Sequence, residues 1–232
     1  MLANYSPKKA ARLAGLLYVV GAVFGFYALK FVPSRIIVKD DSAATFENLL
    51  SHEFLFRTGI ASQIVSNVIF ILLTLILYQL FRSVNEFMSR TILALVLVNA
   101  PFVFFGEALH LIALSVANGE LMKSLNDAGR QDFVMLLLRI YEYGIIVTES
   151  LWGCFFILFG LLVYNSGFMP RILGVLLALG GTAYITDSFT FIFRPEYISS
   201  VTRVTGIFYG VGEISTMFWL LIKGVKTKPA TA

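Results

Sequence analysis

Two ionisable residues stand three positions apart in FGEALH, residues 105–110, with TILALVLVNAPFVF before them and LIALSVAN after. On a helix that spacing puts Glu107 and His110 on one face, where a carboxylate and an imidazole can form an ion pair, share a proton or offer two ligands to a metal. Glu142 and Glu149, Asp187 in TDSF, and Glu213 also interrupt apolar runs, while Gln63, Asn67 and Thr74 are spaced to share one helical face. A charge in hydrocarbon is costly and normally faces a bundle interior or a wet cavity, so each of these is a functional candidate.

Five carboxylates thus face one imidazole and Arg139. Some must carry a proton or meet a cation from outside the chain. Glu107 with His110 as imidazolium, and Arg139 with Glu142 at i, i+3, are the pairs that the spacing allows. Glu-x-x-His is also a ligand pair of di-iron bundles, but those sites need a second such pair, and the other histidine, His52, falls in a loop. A metal site from Glu107, His110, Asp187 and Glu213 is conceivable and would suit several divalent ions. Standard enzyme signals are missing: there is no GxxxxGK[ST], GxSxG or CxxC, and His52-Glu53 begins like HExxH but meets Phe56 in the final position. No cofactor is implied.

The elements that must position these groups follow from composition. Of the 232 residues 58% are hydrophobic and 14% charged, with a mean hydropathy of +0.82, against about 45–50% and 25% in soluble domains. The apolar runs are continuous rather than alternating, which selects helices over a barrel. We read an all-α polytopic membrane protein, a six-transmembrane-helix bundle forming one membrane domain over residues 1–232, with spans at 10–32, 58–81, 91–117, 133–164, 172–193 and 204–222. The fourth is too long for one crossing, so its first turns, FVMLLLRIY, are expected in the interface or an outer loop. The first is read as a retained helix rather than a cleaved leader, because it exceeds the usual h-region and lacks a small-residue cleavage site before Pro33.

The formal charge of +4 and pI near 9.2 come with no basic stripe interleaved with aromatics, so no nucleic-acid partner is expected. Instead Lys8, Lys9, Arg12, Arg82, Arg90, Arg171, Lys223, Lys226 and Lys228 fall on one side of the six spans with only Glu86 opposing them. The opposite side carries a comparable number of Lys and Arg mixed with acids, and because the positive-inside rule counts Lys and Arg, it is mainly the basic segment before the first span that places both termini in the cytoplasm of a cell-membrane protein. Cys154, the one cysteine, is expected to fill a helix interface. Tyr5, Tyr18, Tyr27, Tyr78, Tyr164 and Tyr197 fall near predicted membrane edges, where aromatic belts form.

In the first outer loop, SAATFENLLSHEF puts Phe46, Leu49, Leu50 and Phe54 on one face of a short amphipathic helix, with Asp41 or Ser42 as N-cap. GELMKSLNDAG reads as a second small amphipathic piece. Counting about 1.5 Å per residue, Asn67, Glu107, His110, Asp187 and Glu213 all fall roughly 10–15 Å below the same predicted outer boundary, with Glu142 at that level or above it. These depths describe a polar cup over an apolar floor. Gly206 and Gly210 in GIFYG form a GxxxG pattern that places Glu213 on a close-packed face.

KKAARLAGLLYVVG, SAATFENLLSHEFLFRTGIAS and above all NSGFMPRILGVLLALGGTAYITDSF resemble a bacterial multi-pass membrane family, domain of unknown function 4386, over nearly the whole chain. The resemblance implies a helical membrane protein of prokaryotic type and no activity or cofactor. The functional expectation is therefore built from residues: an acid-rich intramembrane cavity opening to the outer face that binds a proton, small cation or cationic or lipid-like ligand in transport or sensing. Glu107, His110, Asp187, Glu213, Asn67, Glu142 and Glu149 are its candidates, with His110 as a protonation switch near neutral pH. The alternatives are a structural or partner-binding subunit whose polar groups lock helix packing, and a metal-dependent membrane enzyme.

Overall fold

Lipid forces the backbone to satisfy itself, and the chain does so as helix. A computed structural model describes residues 6–226; Tyr5 and Lys228 lie outside them. Helix α1 (Pro7–Phe26) continues through a π-helical turn (Tyr27–Phe31) into α2 (Pro33–Ile36). Then follow α3 (Ser42–Ser51), α4 (Glu53–Phe81), α5 (Glu86–Ala117), α6 (Asp127–Ser166), α7 (Arg171–Phe193) and, after a 3₁₀ turn, α8 (Ile198–Ile222). The described residues contain no strand. Six helical stretches are long and apolar enough to cross a membrane: Pro7–Ile36, Glu53–Phe81, Glu86–Ala117, Asp127–Ser166, Arg171–Phe193 and Pro195–Ile222. Each contains one of the spans expected from the sequence and runs further into polar residues that hydropathy does not count. Large apolar side chains such as Phe26, Phe105 and Ile207 stand 64–66% exposed, an arrangement suited to lipid and costly in water.

The helices divide into two compact units. The first comprises Ile69–Asn99 with the described residues of Met1–Val20 and Ile146–Ala232; the second comprises Gly21–Val68 and Ala100–Ile145.

In the second unit, α3 buries Phe46 and Leu49 among Val32, Ile36, Ala113, Leu114 and Leu138. Asp41 is its N-cap, its Oδ1 accepting from the Ala44 N–H at 2.9 Å. Thr45, fully buried, laces α3 to the preceding loop: its hydroxyl donates to the Val38 carbonyl and accepts from the Val38 N–H. The expected apolar face is shorter than the pattern suggested. The helix ends at Ser51 with His52 as its C-cap, Phe54 belongs to α4 at 80% exposure, and Leu50 is 40% exposed. GELMKSLNDAG is not a helical piece either. Gly119 and Met122 take left-handed φ values of 71° and 53° to close α5, and Asn126 caps α6 through the Gly129 N–H. FVMLLLRIY is continuous with the rest of α6.

In the first unit, the close approaches are made by glycines. A methyl group on Gly160 would lie 2.5 Å from the Gly174 carbonyl oxygen, and one on Gly174 the same distance from that of Gly160. Gly153 and Gly181 repeat the reciprocal contact seven residues away on each helix, at 2.6 Å. Where lipid tails are as apolar as Leu, dispersion between close backbones is what holds helices together. A methyl group on Gly212 would lie 2.6 Å from the Leu176 carbonyl oxygen, whereas Gly210 of GIFYG has no atom within 4 Å of its missing side chain. The tight contact on α8 thus runs through Gly212 and not through the GxxxG pair. Cys154 is exposed rather than packed in an interface.

Gly160→Ala or Gly174→Ala is expected to lower stability by about 1–3 kcal/mol through overpacking. Gly210→Ala should instead be neutral or gain about 0.5–1 kcal/mol from the better helix former. Reversible unfolding of the three variants in detergent checks the contrast.

Candidate functional site

The acids sequester themselves among hydroxyls. Glu213 on α8 accepts from the Tyr184 hydroxyl of α7 at Oε1, 2.6 Å, and from the Tyr18 hydroxyl of α1 at Oε2, 3.1 Å. Three helices of the first unit therefore meet on one carboxyl group. The tyrosines are themselves fixed. The Tyr184 ring lies stacked between Phe156 and Tyr209, at 5.6 and 4.4 Å between centroids, and Tyr18 is 4% exposed with its ring edge-on to Phe70. Gly180 admits Tyr209 to this stack, since a methyl there would sit 3.0 Å from the Tyr209 Cα.

Asp187, 2% exposed in the same unit, accepts from the Thr205 hydroxyl of α8 at 2.7 Å. No hydrogen bond joins it to Glu213 among the described residues. Glu149 is half-buried on α6. A shallow apolar recess in this unit, without room for a ligand, is lined by Leu95, Val96, Asn99, Leu151, Trp152 and Phe155, and so by no acid.

The second unit holds Glu107 and His110. Glu107, 2% exposed, takes His110 Nδ1 at 3.0 Å on Oε2 and the Tyr141 hydroxyl of α6 at 2.9 Å on Oε1. The imidazole lies against the Tyr141 ring, 3.9 Å between centroids, and edge-on to Phe56 at 5.0 Å. Gly106 makes room, because a side chain there would come within 2.7 Å of the Tyr141 ring. Glu142 follows Tyr141 in sequence but has partners of its own. It is half exposed and bonds Arg139 Nη1 at 2.8 Å, while Arg139 Nη2 reaches Asp40 at 3.2 Å. Gln63 and Asn67, at 7% and 6% exposure, lie one turn apart on α4, and Gln63 Oε1 and Asn67 Nδ2 have no partner among the described residues.

Among the described residues no three His, Cys, Asp or Glu side chains come together as a metal site would need. Glu107 and His110 have a tyrosine as their third member.

Tyr18, Tyr141 and Tyr184 are the participants that sequence reasoning missed. Tyr18, expected near a membrane edge, is buried at 4% exposure. The available signal was weak: Tyr18, Tyr184 and Glu213 all sit near glycines that permit close helix approach, in apolar runs where a hydroxyl needs a partner.

Six apolar helices, lipid-facing hydrophobic side chains and buried acids paired with hydroxyls define an integral, multi-pass membrane protein. The chain belongs to the family described as Domain of unknown function (DUF4386), whose model matches residues 13–224. It is also similar to an uncharacterized protein of Archaeoglobus fulgidus, 37% identical over 99 residues that cover 40% of this chain and 57% of that protein. The chain thus spans little more than half the length of this relative. No solved structure matches it significantly.

Tyr184→Phe is expected to cost about 0.5–2 kcal/mol, the range for interhelical hydrogen bonds in membranes. Tyr18→Phe, which loses the longer bond, should cost less. A double-mutant cycle of Tyr184→Phe with Glu213→Gln, read by unfolding in detergent, should return a coupling energy of the same size.

Proposed function

We propose that this is a cell-membrane protein, both termini cytoplasmic, in which Glu213 binds and releases a proton in transport or sensing. The observation that carries this reading is an acid without a base. Among the described residues neither Glu213 nor Asp187 forms an ion pair. A carboxylate in hydrocarbon without a counter-charge is strongly disfavoured, and a proton is the smallest species that removes the charge. Hydroxyl partners suit that role, because a tyrosine donates to a carboxylate and can accept from a carboxylic acid by rotating one O–H bond. Asp187 with Thr205, and Glu107 with His110, belong to the same reading as further proton-holding groups. The outward-opening cavity and the cytoplasmic termini rest on the depths of the polar residues and on the basic segment before α1.

The second reading is a structural or partner-binding subunit. It is favoured by the two oxygens of Glu213 each having a donor from a different helix, so that the group clasps α1, α7 and α8.

Infrared titration of the purified protein in lipid separates the two. The proton reading expects carboxylic C=O absorption that grows as pH falls, with a component that is lost in Glu213→Gln and shifts its midpoint in Tyr18→Phe/Tyr184→Phe. Identical titrations of Glu213→Gln and the parent, with lowered thermal stability of the variant, would leave the structural reading in its place. In proteoliposomes enclosing a pH dye, transport further predicts a proton flux that Glu213→Gln removes.

A further inference from the structure

One end of the first unit gathers positive charge from segments far apart in sequence. Arg12, in the second turn of α1, donates from Nη2 to the Ile222 carbonyl at the end of α8, 3.0 Å away. The chain then turns through Gly224, buried with φ at 67°, and tucks Val225 into the core at 5% exposure. Gly224 sits so close that a methyl on it would lie 3.1 Å from the Lys8 carbonyl and 3.6 Å from Arg12 Cγ. Next, the Lys226 N–H donates to the Phe168 carbonyl at 3.1 Å, which ties this segment to the α6–α7 loop. Phe168 in turn packs on Phe81 at the end of α4, 5.2 Å between ring centroids.

These contacts bring Lys8, Arg12, Lys223, Lys226 and, three residues after Phe168, Arg171 to the same end, all of them exposed. None forms an ion pair among the described residues. The acid at this end, Glu86, is already bridged to Arg90 at 2.6 Å. Arg171 also lies over the Tyr164 ring at 5.3 Å, an aromatic at the level where a helix leaves the hydrocarbon. Five unneutralised cations would repel one another unless anions sit among them.

We propose that this end of the first unit is a binding surface for anionic phospholipid headgroups, with the phosphate as the recognised group and Lys8, Lys223 and Lys226 as its flexible contacts. Long lysine stems at a helix terminus reach the headgroup layer, where anionic lipid is concentrated in the plane of the membrane. Arg12 has a second task, holding the end of α8, and is left intact in the test.

Native mass spectrometry of the full-length protein titrated with phosphatidylglycerol or phosphatidylcholine tests this surface independently of Glu213. The parent should retain phosphatidylglycerol in preference. Lys8→Gln/Lys223→Gln/Lys226→Gln should lose that preference by roughly fivefold per lysine while melting like the parent in phosphatidylcholine. Equal retention of the two lipids by the parent, or undiminished phosphatidylglycerol retention by the triple variant, overturns the proposal. So does inorganic phosphate that displaces phosphatidylglycerol at comparable concentration, since the site would then be one for free phosphate.

Discussion

A polar group inside hydrocarbon has no water to fall back on, and from this constraint the rest of the molecule can be reasoned. It explains why the backbone is helical nearly throughout and why Thr74 and Ser66 turn their hydroxyls to main-chain carbonyls, Phe70 and Gly21 respectively. It also explains why each buried acid is met by an O–H or N–H donor. The donors differ with the acid: two tyrosines for Glu213, a tyrosine and a histidine for Glu107, the threonines Thr205 and Thr202 for Asp187. Reaching such partners requires helices to approach closely. That is what the facing glycines of α6 and α7, and Gly212 on α8, provide in the first unit. Small residues and polar clasps are therefore two halves of one solution. The glycines bring α7 against α6 and α8, and the hydroxyl of Tyr184 then falls within reach of Glu213.

How far this could be read from the sequence depends on the range of the interaction. The six spans were legible because lipid demands long apolar runs, and a run is a local property. The Glu107–His110 and Arg139–Glu142 contacts were legible for the same reason, since i, i+3 spacing on a helix fixes them without tertiary information. The Asp41 cap was legible from its position ahead of an amphipathic segment. The helix ends were less so. Hydropathy stops counting at polar residues, but hydrogen bonding continues to Asp127 at one end of α6 and to Ser166 at the other.

The tyrosines were not legible. Tyr18 and Glu213 are 195 positions apart, Tyr141 and Glu107 34, and Tyr184 and Glu213 29. A tyrosine in an apolar run looks the same whether it anchors at the headgroups or donates to an acid. Depth along a helix could rank polar residues by level, but level says nothing about azimuth, and azimuth decides who meets whom. Asp187 and Glu213 illustrate this: both were assigned the same level, both lie in the first unit, and each is held by its own set of hydroxyls.

The difference between the two glutamates bears on what protons can do there. Glu107 shares its helix with a base, so a proton passing between its carboxyl and His110 changes no net charge, and the pair can redistribute it without any exchange with solvent. Glu213 has hydroxyls alone. For it, every change of protonation is a change of charge in the interior of the first unit and requires a proton from elsewhere. Hydroxyl partners make that change mechanically cheap, because reversing one O–H bond re-pairs the group while the rings of Tyr184, Tyr209 and Phe156 stay stacked. Under the proton role we propose, Glu213 would change its charge in a frame that need not repack when it does; as a clasp it would keep one protonation state in the same frame.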